Sequence, residues 1–218
     1  MRAVLFDLDG TLADTAPDLA AALNHVRADR ALPPLPLETL RPHASDGTRG
    51  MLDAGLGVTR DHAEWETLKE AFLDYYAAGL AVHTRLFAGA NDALAGIEER
   101  GLVWGVVTNK VARFTLPLLD HLGLAKRAGV IVCGDTTPQT KPHPAPLLHA
   151  ANAVGIQPTS CVYVGDAPRD VAGARAAGMA ALVASYGYIA PDIDPNAWAP
   201  DGLIASLPSL LDWLPAKI

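Results

Sequence analysis

Four short apolar runs, Leu102 to Val107, Val130 to Cys133, Cys161 to Val164 and Ala180 to Ala184, alternate with helical segments over the second part of the chain. This rhythm constrains the fold more than any other feature. Runs of four to six residues with no polar alternation read as strands buried on both faces, the condition of parallel strands covered by helices. Between them, Phe114 to Leu122, Pro146 to Val154 and Val171 to Ala177 read as helices, and another helix closes at Ile97 to Arg100. The pattern predicts an α/β fold: a Rossmann-like parallel sheet core with helices on both faces, its last strand at Ala180 to Ala184. Such a sheet binds ligands beyond the carboxyl ends of its strands.

A further apolar run opens the chain and breaks off into acids, Val4-Leu5-Phe6-Asp7-Leu8-Asp9-Gly10-Thr11. Strand alternation points Asp7 and Asp9 to the same side, and the turn at Gly10 lets both overhang one pocket. Two such acids need a cation, a shared proton or divided roles, although this segment alone also fits a polar strand end closed by an Asp-Gly turn. Three other segments fall on the same predicted edge. Thr108 and Asn109 follow Val106-Val107, where a hydroxyl and an amide can bind phosphate oxygens or simply cap a helix. Lys141 sits in a loop stiffened by Pro142 and Pro144. Asp166 ends the run Val162-Tyr163-Val164-Gly165, and Asp170 follows one helical turn later, as a metal site or a capped helix would require. Together these residues call for a hard cation and a phosphate. Mg2+ suits them, because it takes few protein carboxylates and shares its shell with phosphate oxygens.

The stretch from Asp14 to Val82 has a different texture. Asp14 or Thr15 can cap a helix with Pro17 in its first turn and Leu19, Leu23 and Val26 on one face; Trp65, Leu68, Phe72 and Tyr75 mark a second. Pro33, Pro34 and Pro36 break the helices, and no strand is expected. The predicted organisation is an α/β core of residues 1-13 and 83-218, with an inserted all-helical cap domain at 14-82.

Composition excludes several classes. Half of the 218 residues are hydrophobic, enough for a large core, and a net charge of -7 offers no basic field for nucleic acid. An anionic substrate must therefore be drawn by a local site. Cys133 and Cys161 lie in apolar runs, as buried thiols of a reducing cytoplasm would. No apolar stretch is long enough to span a membrane, and the acidic strand end leaves no room for a signal peptide, so a cytoplasmic protein is expected. A calcium loop counted from Asp7 would need Gly and Glu where Leu12 and Asp18 stand. A nucleotide-binding phosphate loop fails because Gly129 to Gly134 continues into Asp135. A cysteine phosphatase needs an arginine where Gln139 and Ala167 follow the two thiols. The seven histidines show no metal-ligand spacing.

The ordered set Asp7-Leu8-Asp9-Gly10-Thr11, Thr108, Lys141 and Gly165-Asp166 with Asp170 resembles the haloacid dehalogenase superfamily of phosphohydrolases, over almost the whole chain. The resemblance implies that Asp7 is the nucleophile and Asp9 the general acid and base. It also implies that the Asp7 and Asp166 carboxylates and the Asp9 carbonyl hold Mg2+. Thr108, Asn109 and Lys141 would bind the phosphoryl group, Asp170 would orient Lys141 or a metal-bound water, and the helical insert would be the cap. Within the superfamily, Thr108-Asn109-Lys110, Lys141-Pro142-His143-Pro144 and Tyr186-Gly187-Tyr188 are similar to phosphoglycolate phosphatases. Trp104 to Lys110 with Tyr186 to Ile189 is also similar to N-acetylmuramic acid 6-phosphate phosphatases. Both substrates carry a carboxylate, for which Arg49 in the insert is the expected partner. The expected partner molecule is a small phosphorylated metabolite, turned over by a monomer or homodimer. A phosphomutase of the β-phosphoglucomutase kind shares the same catalytic set. Two non-enzymes remain alternatives: a phospho-ligand binding protein and a signalling receiver domain, which has no need of the insert.

Overall fold

The computed structural model describes residues 1–216. The chain forms two compact units, one of Met1–Ala13 with the chain from Leu86 onward, the other of Asp14–Arg85. In chain order, strand β1 (Ala3–Phe6) leads to a short β2 (Ala13–Asp14), then to helices α1 (Ala16–Asp29), α2 (Leu37–Leu40), α3 (Gly47–Leu56) and α4 (Trp65–Ala78), and to a short β3 (Arg85–Leu86). The α/β part continues as α5 (Ala90–Glu99), β4 (Val103–Val107), α6 (Ala112–His121), β5 (Val130–Val132), α7 (Ala145–Ala153), β6 (Cys161–Gly165), α8 (Pro168–Ala176), β7 (Ala180–Ala184) and β8 (Gly202–Ile204).

The sheet has six strands in the order β5-β4-β1-β6-β7-β8, and every neighbouring pair is parallel. β1, β6 and nearly all of β4 and β7 are buried, as apolar runs without alternation require. On one face Leu5, Val107, Tyr163 and Val183 pack with Leu147, Ala150 and Ala151 of α7 and Val171 and Ala174 of α8. Helix α5 packs on β4, burying Leu94 and Ile97 outside that cluster. One strand escaped the sequence reading. β8 follows the Pro- and Asp-rich loop and pairs with β7, so Ala180–Ala184 is not the last strand. Three residues are too short to show a period. Gly202 is tolerated there because the Trp213 ring lies where a Cβ would stand, at 2.1 Å.

The helical unit is built around α1, which packs against α3 and α4. Leu19, Leu23 and Val26 of α1 are buried, as are Trp65, Leu68 and Phe72 of α4. Tyr76 takes the fourth buried place on α4; Tyr75 instead stacks on His25 and donates to Asp29 Oδ2 at 2.8 Å. The proline loop after α1 is pinned by side chains: Asn24 exchanges two hydrogen bonds with the Leu35 main chain, and Arg27 donates to the Pro33 and Gly55 carbonyls. Thr15 occupies the N-cap position without a side-chain cap bond. Asp18 in the first turn accepts from His83 N at 2.8 Å, Thr84 N at 2.9 Å and Thr84 Oγ1 at 2.7 Å, which ties the two ends of the unit together. No helix among the described residues is long and apolar enough to cross a membrane.

Candidate active site

β1 is flanked by β4 on one side and β6 on the other, so the chain reverses its direction of progress across the sheet at β1. A crevice opens at such a switch point beyond the strand ends. The register sets Phe6 level with Val106 and Val164, and the next residues outward from each strand include Asp7, Thr108 and Asp166. Asp7 N still bonds Val164 O at 2.8 Å, and Thr108 N bonds Val132 O at 2.9 Å, so both side chains leave from ordered backbone.

Lys141 enters from the loop before α7 with its ammonium fully buried. Its Nζ lies 3.0 Å from Asp7 Oδ1, 2.9 Å from Asp170 Oδ1 and 2.6 Å from the Tyr163 hydroxyl. Asp7 Oδ1 also accepts from Leu8 N at 2.8 Å, and Asp170 Oδ2 accepts from Ala167 N at 3.0 Å, at the start of α8. Burial pushes the Asp170 carboxyl above the usual carboxylate range, against the opposing pull of Lys141. Burial, with the Asp7 and Asp170 carboxylates beside it, holds the Tyr163 phenol far above its ordinary value, so it stays a neutral hydroxyl. Asn109 turns its amide to the loop that carries this lysine: Nδ2 donates to Lys141 O at 2.9 Å and Oδ1 accepts from Lys141 N at 3.0 Å. An amide expected at a phosphate is thus occupied with the Lys141 main chain, as a peptide-like group matches a peptide. Thr108 is buried, and its Oγ1 accepts from Lys110 N at 3.1 Å.

Asp166 is held close against the turn after β1. Its Oδ2 accepts from Tyr188 N at 2.9 Å, and a Cβ on Gly10, whose φ is +76°, would lie 2.0 Å from the same oxygen. Gly187 is under the same constraint, with a Cβ 2.4 Å from Asp166 Cβ. Tyr186 closes the loop by donating to Thr11 O at 2.9 Å. Asp9 meets a different cation: Lys110 Nζ lies 2.6 Å from Asp9 Oδ1, and the two side chains are 9% and 14% exposed.

Asp7, Asp166 and Asp170 can each place one oxygen within 4.8 Å of the others, and all three are buried. Hard carboxylate oxygens concentrated in one buried place are the donor set of a hard divalent cation, so these residues fit Mg2+. With both Asp170 oxygens engaged by Lys141 and Ala167, Asp7 and Asp166 are the pair suited to hold it. Arg49 stands apart from this cluster in sequence, on α3 of the helical unit, where it makes an exposed ion pair with Asp46 at 3.1 Å.

Sequence reasoning passed over Tyr163, which looked like another apolar strand residue, and Lys110, which gave no hint of a partner 101 positions away. Tyr186-Gly187-Tyr188 was noted without a role; its function in the structure is to buttress Asp166 through main-chain atoms and glycine space.

Strand-end acids and a buried lysine thus come together at the carboxyl edge of a parallel sheet. The chain belongs to the haloacid dehalogenase-like hydrolase family, whose model matches residues 4–184. It is 46% identical over 215 residues to a phosphoglycolate phosphatase from Xanthomonas campestris, covering 99% of this chain and 96% of that one. It is also 42% identical over 214 residues to an N-acetylmuramic acid 6-phosphate phosphatase from Pseudomonas aeruginosa, covering 98% and 95%. Among solved structures, a predicted phosphoglycolate phosphatase from Haemophilus somnus superposes with a TM-score of 0.86 at 28% identity, covering 98% of this chain and 97% of that one.

Proposed function

We propose that this protein is a Mg2+-dependent phosphomonoester hydrolase that works through an aspartyl-phosphate on Asp7, with 2-phosphoglycolate as its first candidate substrate. The observation that carries the reading is the buried cluster in which Asp7 pairs with Lys141 at 3.0 Å and can place an oxygen within 4.8 Å of oxygens of Asp166 and Asp170. The similarity to a phosphoglycolate phosphatase over nearly the full chain supports the substrate.

Attack begins with Asp7. Its Oδ1 is fixed by Leu8 N and Lys141, which leaves Oδ2 to form the bond to phosphorus. As that bond forms, the ester P–O bond breaks, and Asp9 gives its proton to the leaving alkoxide. Asp9, now anionic, takes a proton from water as the water oxygen attacks phosphorus, and the Asp7–phosphorus bond breaks to release inorganic phosphate. Lys141 keeps positive charge beside Asp7 throughout, and Thr108 holds a phosphoryl oxygen. Asn109 acts by fixing the Lys141 main chain, and Asp170 by fixing its ammonium. Bound by Asp7, Asp166 and the Asp9 carbonyl, Mg2+ would offset the repulsion between a carboxylate nucleophile and an anionic phosphate. From the helical insert, the reading assigns Arg49 to the substrate carboxylate; its exposed pair with Asp46 contributes little and is readily exchanged.

A second substrate reading, N-acetylmuramic acid 6-phosphate, is favoured by the Pseudomonas relative of nearly equal similarity. Measuring kcat/KM for 2-phosphoglycolate, N-acetylmuramic acid 6-phosphate and a hexose 1-phosphate, with and without Mg2+, separates the readings. The first ester is expected to be turned over best and only with Mg2+. A higher value for the second transfers the assignment, and no phosphate release from any ester overturns the hydrolase reading.

A further inference from the structure

Lys141 carries three N–H donors, and three acceptors surround it: Asp7 Oδ1 at 3.0 Å, Asp170 Oδ1 at 2.9 Å and the Tyr163 hydroxyl at 2.6 Å. Two of those acceptors are acids that the reaction reading already uses. The third is a strand residue, 1% exposed, on β6. Tyr163 stands level with Leu5 of β1, yet its hydroxyl donates to Val107 O of β4 at 2.7 Å, so the side chain spans the central strand. Asp170 Oδ1 lies 3.5 Å from the same hydroxyl. A hydroxyl has one hydrogen, and Val107 O, being nearer, receives it; the oxygen lone pairs face Lys141.

We infer that Tyr163 is a positioning residue for phosphoryl transfer, which places the Lys141 ammonium against Asp7 by completing its set of acceptors and referring it to the backbone carbonyl just before Thr108. The inference rests on the reading of Lys141 as the residue that neutralises Asp7 during transfer. Without the hydroxyl, the ammonium keeps two carboxylate acceptors and loses its third anchor. A flexible four-carbon side chain then has freedom to lean toward Asp170. A shift of that kind affects the geometry of attack more than the binding of substrate. Because the hydroxyl also bonds Val107 O, a purely structural role is the competing account, and it makes a different prediction.

The test is Tyr163→Phe in the full chain, with Lys141→Met and the double variant. With saturating Mg2+ and the best ester of the substrate panel, Tyr163→Phe should lower kcat between about 10- and 100-fold with KM nearly unchanged. In urea unfolding, the stability lost on Tyr163→Phe should be smaller in the Lys141→Met background than in the wild type, because the contact has already gone. If Lys141→Met does not fold, the kcat of Tyr163→Phe decides alone. Lys141→Met with wild-type turnover would overturn the reading of Lys141 itself. Lys141→Met without turnover, combined with wild-type kcat in Tyr163→Phe or with additive stability losses, would overturn the positioning role and leave the reaction reading intact.

Discussion

Asp7 and Asp9 lie two residues apart but meet different cations, Lys141 for the first and Lys110 for the second. That separation is the physical basis for giving them unequal tasks. A nucleophile benefits from an ammonium that stays beside it as charge moves onto phosphorus. A proton carrier benefits from a partner that holds its carboxylate at one place, and the Lys110 contact is nearly buried. Lys110→Met is therefore expected to lower kcat by about 10-fold or more, a part of the full contribution of acid and base catalysis, and to lower the melting temperature as well, because a nearly buried carboxylate loses its paired cation. Unchanged kcat would remove Lys110 from the account. Gly10→Ala tests the opposite wall. A Cβ there meets Asp166 Oδ2 at 2.0 Å in a backbone conformation that L-residues avoid, so both Mg2+ affinity and thermal stability should fall. A metal titration followed by melting temperature checks it. The acids were legible in the sequence because each interrupts an apolar run at its carboxyl end. Tyr163 was not, because an aromatic residue inside a strand is ordinarily core, and its one polar atom reveals its use only when β1, β4 and β6 are laid side by side.

At the scale of elements, the strands near the middle of the sheet were readable because burial on both faces demands unbroken apolar runs. β8 was not, since an edge strand of three residues pairs through backbone groups that any sequence supplies. The start of α1 shows a related limit. Asp14 and Thr15 have the chemistry of caps, yet Asp18, inside the first turn, does the tying by accepting three hydrogen bonds from His83 and Thr84. Such a partner, more than sixty positions away, leaves no local signal. Asp18→Ala should cost about 1–3 kcal/mol in urea unfolding, because buried donors lose a charged acceptor. A loss within error would mean that water replaces the carboxylate.

For the molecule as a whole, an excess of acidic residues gives no long-range attraction for an anionic ester, so on the proposed reading recognition falls to the local cluster and the Mg2+ proposed for it. Binding Mg2+ to the folded protein alone must raise stability, by about 2.7 kcal/mol at a hundredfold excess over its dissociation constant. A Mg2+-dependent rise in melting temperature is therefore expected for the wild type and should be lost in Asp166→Asn. An equal rise in both would place the ion elsewhere. Cys133 and Cys161 are free and buried, and burial pushes both thiols above their ordinary range. Alkylation near neutral pH should accordingly be slow in the native protein and complete after unfolding. Reaction of either thiol at the rate of a free thiol would contradict the packing around β5 and β6. The most direct test of the account is Asp7→Asn, assayed for phosphate release with Mg2+ beside the wild type and checked for folding by its melting transition. Cooperative melting with turnover reduced to background is predicted; cooperative melting with wild-type phosphate release would show that Asp7 is not the nucleophile.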